Sequence, residues 1–226
     1  MNFGTAFSFP FQNPDWLKKI MIVAVISLVP IIGQIFLLGW VLDITRRVIH
    51  NETDLVPGLD FGAQLMDGFR VLGASMVYAF PVIVVAIPLT ILSVFVGHSP
   101  YQQATLQTVT GVAGACFGLI ATLYSILLAF LLPAAFGNIA AKGELRAGLR
   151  FQEVFALVRA APGAYLTSLL GAMVAGLIAT LGVILCVVGV FLTATYCSMV
   201  AAYFYGQAYN EATRNRSMTS LQVFPS

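Results

Sequence analysis

VLGASMVYAFPVIVVAIPLTILSVFVG, residues 71–97, carries no Asp, Glu, Lys, Arg or His. The same is true of residues 104–141 and 161–210. Each run is long enough to cross a bilayer, which takes about 20 apolar residues in helical form. Hydrocarbon accepts only structures that satisfy their own backbone, and apolar runs without period-two alternation read as helix rather than barrel strand. The expected fold class is therefore all-α: a polytopic helical membrane protein with five or six apolar helical segments. They fall into three hairpins accompanied by interfacial amphipathic helices.

Composition agrees. Of 226 residues 59% are hydrophobic and only 9% charged, far below the roughly 25% of soluble domains. A net charge of +2 gives no reason to expect a nucleic-acid partner. Cys116, Cys186 and Cys197 all lie in apolar runs and read as buried thiols, with no CxxC pair. The first fifteen residues hold Phe3, Phe7, Phe9, Pro10 and Phe11 but no basic residue, so no cleavable leader is expected.

Working outward from residues 71–97, the second hairpin (residues 71–135) pairs Val71–Val96 with Leu106–Leu132 across the loop from His98 to Gln103. The third (163–209) pairs Tyr165–Leu185 with Val190–Tyr209, with Gly189 near the turn. The first (20–48) is short, Ile20–Val29 and Ile31–Leu42, broken at Pro30 and Gly33. Residues 1–19 form an interfacial segment and 210–226 a cytoplasmic tail, all within one integral membrane domain spanning 1–226. Asn13 as N-cap, Pro14 at the first helical position and Asp15 predict a helix start there. Trp16 beside Lys18 and Lys19 suits the headgroup level. A stripe of Phe61, Leu65, Phe69 and Leu72 precedes the second hairpin. Phe151, Val154, Phe155 and Val158 precede the third, both at helical spacing. Leu59-Asp60-Phe61 and Leu149-Arg150-Phe151 hint at a repeat, offset by 90 residues.

The first pair decides the topology. As one kinked span it would separate Lys18 and Lys19 from the other nine basic residues; as a fold-back it leaves all eleven on one side. The positive-inside rule favours the fold-back, although arms of ten to twelve residues are short for full crossings. The basic loops and the C-terminus are then cytoplasmic, and little protein is left on the far side.

Chemistry-bearing residues are scarce. An intramembrane ionisable group is the usual mark of a proton relay or substrate site, and the three runs contain none. Gln107 and Asn138 are the strongest polar groups at their margins, near helix ends where water is close. His98, in the far-side loop, and His50, after the Arg46-Arg47 pair, could each ligate a haem or chlorin metal, His98 being the weak candidate kept against the plainer reading of an exposed loop histidine; no metal site is expected. Glu52, Asp54, Asp60 and Asp67 read as a solvated acidic loop, and no catalytic residue is expected. Small residues recur four apart in two places. One set is Gly111, Gly114, Ala115 and Gly118; the other is Gly171, Ala175 and Ala179 with Ala172 and Gly176. Such faces let helices approach closely, within the chain or against a partner. Arg146, Arg150 and Arg159, with Lys142, flank the 151–158 stripe and favour anionic headgroups.

Phe9-Pro10, Asn13 through Ile20, Pro30 through Gly33, Gly39-Trp40 and Arg46-Arg47-Val48-Ile49 together resemble a family of prokaryotic integral membrane proteins. That family is catalogued as a domain of unknown function. Pro57, Asp60, Gly68 and the closing Tyr205-Gly206-Gln207-Ala208-Tyr209 extend the resemblance over nearly the whole chain, while Leu59 departs from the family's usual tryptophan. The resemblance implies a prokaryotic cytoplasmic membrane and no activity. The expected function is a non-catalytic scaffold or accessory subunit, with the bilayer and other membrane subunits as partners. No cofactor is expected beyond bound lipid. The alternative is a carrier or permease component for a hydrophobic or lipidic substrate; an enzyme is the least supported reading.

Overall fold

The computed structural model describes residues 3–97, 103–182 and 186–223. Among them the helices are α1 (Phe3–Ser8), α2 (Trp16–Ser27), α3 (Ile32–Ile49), α4 (Phe61–Gly97), α5 (Gln103–Lys142), α6 (Leu145–Gly148), α7 (Phe151–Ala160), α8 (Pro162–Leu181) and α9 (Cys186–Val223). A 3-10 turn, Phe9–Gln12, follows α1, and no strand occurs among the described residues. The all-α expectation therefore holds. Three stretches are long and apolar enough to cross a membrane, Phe61–Ile91, Thr108–Lys142 and Pro162–Thr180, and they point to a membrane location. The chain forms two compact units, Met1–Ala74 with Phe130–Ser226, and Ser75–Ala129.

In the first unit, α2 begins two residues later than the capping pattern predicts. Asn13 turns its Oδ1 to the Asp15 N–H at 2.9 Å, an Asx turn, instead of capping the helix. Its Nδ2 donates to Asp54 Oδ1 at 2.9 Å. Lys19 Nζ donates to Val56 O at 2.8 Å. The start of α2 is therefore bonded to the segment that follows α3, so the chain reverses between the two helices. The reversal is tight. Ile32 N–H bonds to Pro30 O at 2.8 Å, and Ile31 between them has φ 67° and ψ −65°, a γ-turn of the rare positive-φ kind. The helices then touch at Gly33, where an added Cβ would lie 2.0 Å from Ile26 O.

Close backbone approach continues between α3 and α4. A Cβ on Gly39 would fall 1.7 Å from Gln64 O, and one on Gly68 would fall 1.9 Å from Ile35 O. In this first turn region α4 is inverted relative to a soluble helix. Gln64, Asp67, Gly68 and Val71 face the interior, whereas Phe61, Met66 and Phe69 are exposed. The 61–72 stripe is not a separate interfacial helix but the opening of α4 itself.

Helices α8 and α9 pack antiparallel on small residues. Gly171 meets the Phe204 ring, Cys197 Sγ–H donates to Ala175 O at 2.8 Å, and Thr193 Oγ1 reaches Ala179 O at 3.3 Å. Gly189 is not at a turn, because α9 already begins at Cys186. The helix also runs unbroken to Val223, through the residues expected as a tail. Among the described residues of this unit, apolar clusters form around Phe36, Trp40, Val200 and Phe204 and around Leu42, Val71 and Ile139.

The second unit is a pair of helical segments from α4 and α5 joined by Tyr124 O–H donating to Tyr78 O at 2.8 Å. Its aliphatic residues are mostly exposed, among them Ile83, Val84, Ile87, Leu119, Ile120 and Leu123. Cys116 is exposed as well, contrary to the buried thiol expected, on a stretch of α5 whose surface is largely exposed.

The glycine contacts give a direct stability prediction. Gly39→Leu should cost about 3 kcal/mol or more, since a backbone carbonyl cannot retreat as a side chain can. Gly118→Ala, where a Cβ meets nothing within 4 Å, should be neutral or stabilise by up to about 1 kcal/mol. Thermal unfolding of both variants in detergent checks the contrast.

Candidate functional site

The last two turns of α3 place Asp43, Arg46 and Arg47 on one face at i, i+3 and i+4. Arg46 Nη2 lies 2.9 Å from Asp67 Oδ2, while its Nε donates to Ala140 O at 3.2 Å. One guanidinium thus joins α3 to α4 and α5. Asp67 also pairs with Arg70 one turn along α4, so each of its oxygens has a cation. Arg47 turns the other way, to Glu52 Oε2 at 3.0 Å and Asp54 O at 3.1 Å. His50 closes the helix with Nδ1 2.8 Å from Arg46 O.

Asp67 is only 6% exposed, which corrects its expected place in a solvated acidic loop. A carboxylate so buried needs its charge balanced, and the two arginines supply that. Beside the pair is an open cleft of about 330 Å3 lined by Asp43, Arg46, Arg47, Asp60, Gln64 and Asp67. Gln64 Nε2 donates to Gly58 O at 2.7 Å, and its Oε1 is buried without a partner. The arginine and aspartate donors and acceptors here are largely consumed by one another, so the cluster fastens helices. No group of three metal-ligating side chains occurs among the described residues.

A second polar cluster lies under α6. Asn138 is fully buried rather than near water: its Nδ2 donates to Ala147 O at 2.8 Å, and Tyr209 O–H approaches its Oδ1 at 3.5 Å. Lys142 hydrogen-bonds Glu153, linking the end of α5 to α7. That bond, aided by the Lys142 and Arg150 charges, holds the Glu153 carboxyl below its ordinary value although partial burial opposes it.

The other expected residues are dispersed. Trp16 is half-buried against Phe11, ring centroids 4.7 Å apart, with Lys18 exposed beside it and Lys19 on Val56 O. Arg146, Arg150 and Arg159 are exposed, and Arg159 lies over the Phe155 ring at 5.7 Å. Gly171, Ala175 and Ala179 face α9, whereas Gly176 opens to empty space. Gly111, Gly114 and Gly118 likewise have nothing within 4 Å of an added Cβ, and Ala115 is exposed. His98 lies outside the described residues, as does most of its loop. Sequence reasoning missed the Arg46–Asp67 pair and the burial of Asn138. The available signal for the first was Asp67 on the face of α4 that also carries Gly68.

Arg46→Ala should destabilise the fold by about 2 kcal/mol, because one buried Asp67 oxygen and Ala140 O lose their donor while Arg70 keeps the other Asp67 oxygen. Arg46→Lys should recover only part of that, since an ammonium cannot reach Asp67 and Ala140 O together. For Glu153 the sign follows from its lowered value. Its contribution is complete above the ordinary carboxylate pKa of 4.5 and disappears as pH falls through the folded-state value. Unfolding followed across acid pH should therefore show a limb that Glu153→Gln removes.

No curated protein and no solved structure matches the chain. The profile of a family described as "Protein of unknown function (DUF4013)" matches residues 22–188, from α2 into the first turn of α9. That interval holds the Arg46–Asp67 ion pair, the Arg46 bond to Ala140 O and the three membrane-capable stretches found among the described residues. The chain belongs to the DUF4013 family.

Proposed function

We propose that this protein is a non-catalytic integral membrane scaffold, an accessory subunit of a larger complex in a prokaryotic cytoplasmic membrane. The observation that carries this reading is the exposed small-residue face of α5. Gly111, Gly114, Ala115 and Gly118 give a helix surface suited to close approach, and among the described residues of their own unit nothing fills it. The polar clusters favour the same reading, because their charged groups are engaged in holding helices together.

The proposed topology has three hairpins, α2 with α3, α4 with α5 and α8 with α9. All eleven Lys and Arg residues then lie on the cytoplasmic side. The bonds from Asn13 and Lys19 to Asp54 and Val56 support the first of these, since they keep Lys18 and Lys19 beside the Arg46–Arg47 end of α3.

A carrier for a lipidic substrate is the second reading. The apolar cleft between α2 and α9, lined by Met21, Ala24, Val25, Leu28, Phe191 and Leu192, gives it a location. Its volume of about 90 Å3 is small beside the roughly 300–1,000 Å3 of ligand pockets, which favours the scaffold.

Mild-detergent purification followed by native mass spectrometry tests the proposal. A larger membrane assembly at fixed stoichiometry is expected, and Gly114→Leu should weaken it without lowering the unfolding temperature. A lone chain whose behaviour Gly114→Leu leaves unchanged would contradict the scaffold reading.

A further inference from the structure

Helix α7 packs against α9. At one end Asn215 Nδ2 donates to Ala160 O at 3.0 Å. At the other, Arg216 shares a cleft of about 510 Å3 with Arg150, Phe151, Gln152, Glu153 and Ala156. Asn215 is thus bonded to the end of this ten-residue helix, and Arg216 lines a cleft with residues of its first turns. Its inner face is Val154 and Leu157, both buried; on its outer side Phe151 and Phe155 are 52% and 49% exposed.

The neighbouring helix gives α7 a depth. The membrane-capable stretch of α8 starts at Pro162, two residues after α7 ends. It carries exposed Leu166, Leu170, Met173 and Leu177, a stripe at i, i+4, i+7 and i+11 suited to lipid. On the membrane reading of that stretch, α7 ends just before the span and belongs at the level of the headgroups with its two exposed phenylalanines. Amphipathic helices with aromatic residues on one side and arginines beside them take that position.

The charges in the cleft are unequal. Lys142 already holds Glu153, and Arg150 Nη1 is 3.7 Å from Glu153 Oε2, beyond hydrogen-bond range. Among the described residues neither Arg150 nor Arg216 donates a side-chain hydrogen bond. Two guanidinium groups from different helices thus line one cleft beside Phe151, Arg150 only loosely paired with Glu153 at 3.7 Å.

We infer that this cleft binds the phosphate of an anionic phospholipid from the surrounding leaflet. Arg150 and Arg216 donate to the phosphate oxygens, for which the planar guanidinium fork is well shaped, and Phe151 lies against the apolar part of the same lipid. The assignment rests on the membrane reading of the chain and is independent of whether it serves as an accessory subunit.

The test is native mass spectrometry of the full chain in mild detergent, titrated with phosphatidylglycerol or phosphatidylcholine. Preferential retention of phosphatidylglycerol is expected. A surface basic residue contributes about 1 kcal/mol to such binding, so Arg150→Gln and Arg216→Gln should each weaken it about fivefold. Arg214→Gln, which removes the same charge outside the cleft, should leave it unchanged, and Arg216→Lys should fall between. Equal losses for Arg214→Gln and Arg216→Gln would overturn the site in favour of diffuse attraction. Equal retention of the two lipids would overturn it also. Displacement of phosphatidylglycerol by inorganic phosphate alone would reassign the cleft to a free anion.

Discussion

Ile32 N–H bonds back to Pro30 O across Ile31, and that small loop of backbone sets the direction of everything before it. An isoleucine at positive φ is costly, and it persists only where its surroundings demand it. The demand is visible at both ends of the two helices. Gly33 lies against Ile26 at the turn, while Lys19 is bonded to Val56 at the open end. With α2 folded back, Lys18 and Lys19 join the basic residues of α3 instead of opposing them. The proposed one-sided distribution of positive charge depends on this reversal.

The remainder of the first unit obeys the logic of a lipid solvent. Water is not available to satisfy polar groups along an apolar surface, so they turn inward and find partners. Asp67 is held between Arg46 and Arg70, Gln64 is bonded to Gly58, and Asn138 supports the backbone at Ala147. Phe61, Met66 and Phe69, which a soluble protein would bury, are turned out. Apolar side chains gain little from leaving lipid for a protein interior, so helix association relies on close contact and interhelical bonds. Gly39, Gly68 and Gly171 supply the first; Arg46 supplies the second.

The helical class and the apolar segments were legible because an uncharged run of this length has few other physical solutions. The charge count, through Lys18 and Lys19, favoured a fold-back at Pro30 over one kinked span, and the bonds of Asn13 and Lys19 to the segment after α3 are what support that reading. What the residues hid were contacts set by three-dimensional register. Asn138 sits near a helix end, where water is the natural expectation, but α6 folds over it. Asp67 follows an acidic loop in sequence and reads as part of it until α4 brings it under Arg46. Asn13 carries a capping side chain, yet the chain uses it for an Asx turn and a bond to Asp54. The small-residue faces were equally visible in α5 and α8, and sequence alone could not separate them. Among the described residues it is the α8 face that meets a partner, because Phe204 and Cys197 of α9 fall opposite Gly171 and Ala175.

The most direct measurement is the sidedness of the two ends of the α2–α3 pair. Single cysteines replacing Lys18 and Asn51, in a chain with Cys116, Cys186 and Cys197 changed to serine, would be labelled with a membrane-impermeant maleimide. Right-side-out and inverted vesicles would be compared. Both positions should react only in inverted vesicles, from the cytoplasmic face. Reaction of the two positions in opposite vesicle preparations would contradict the fold-back and restore a single kinked crossing.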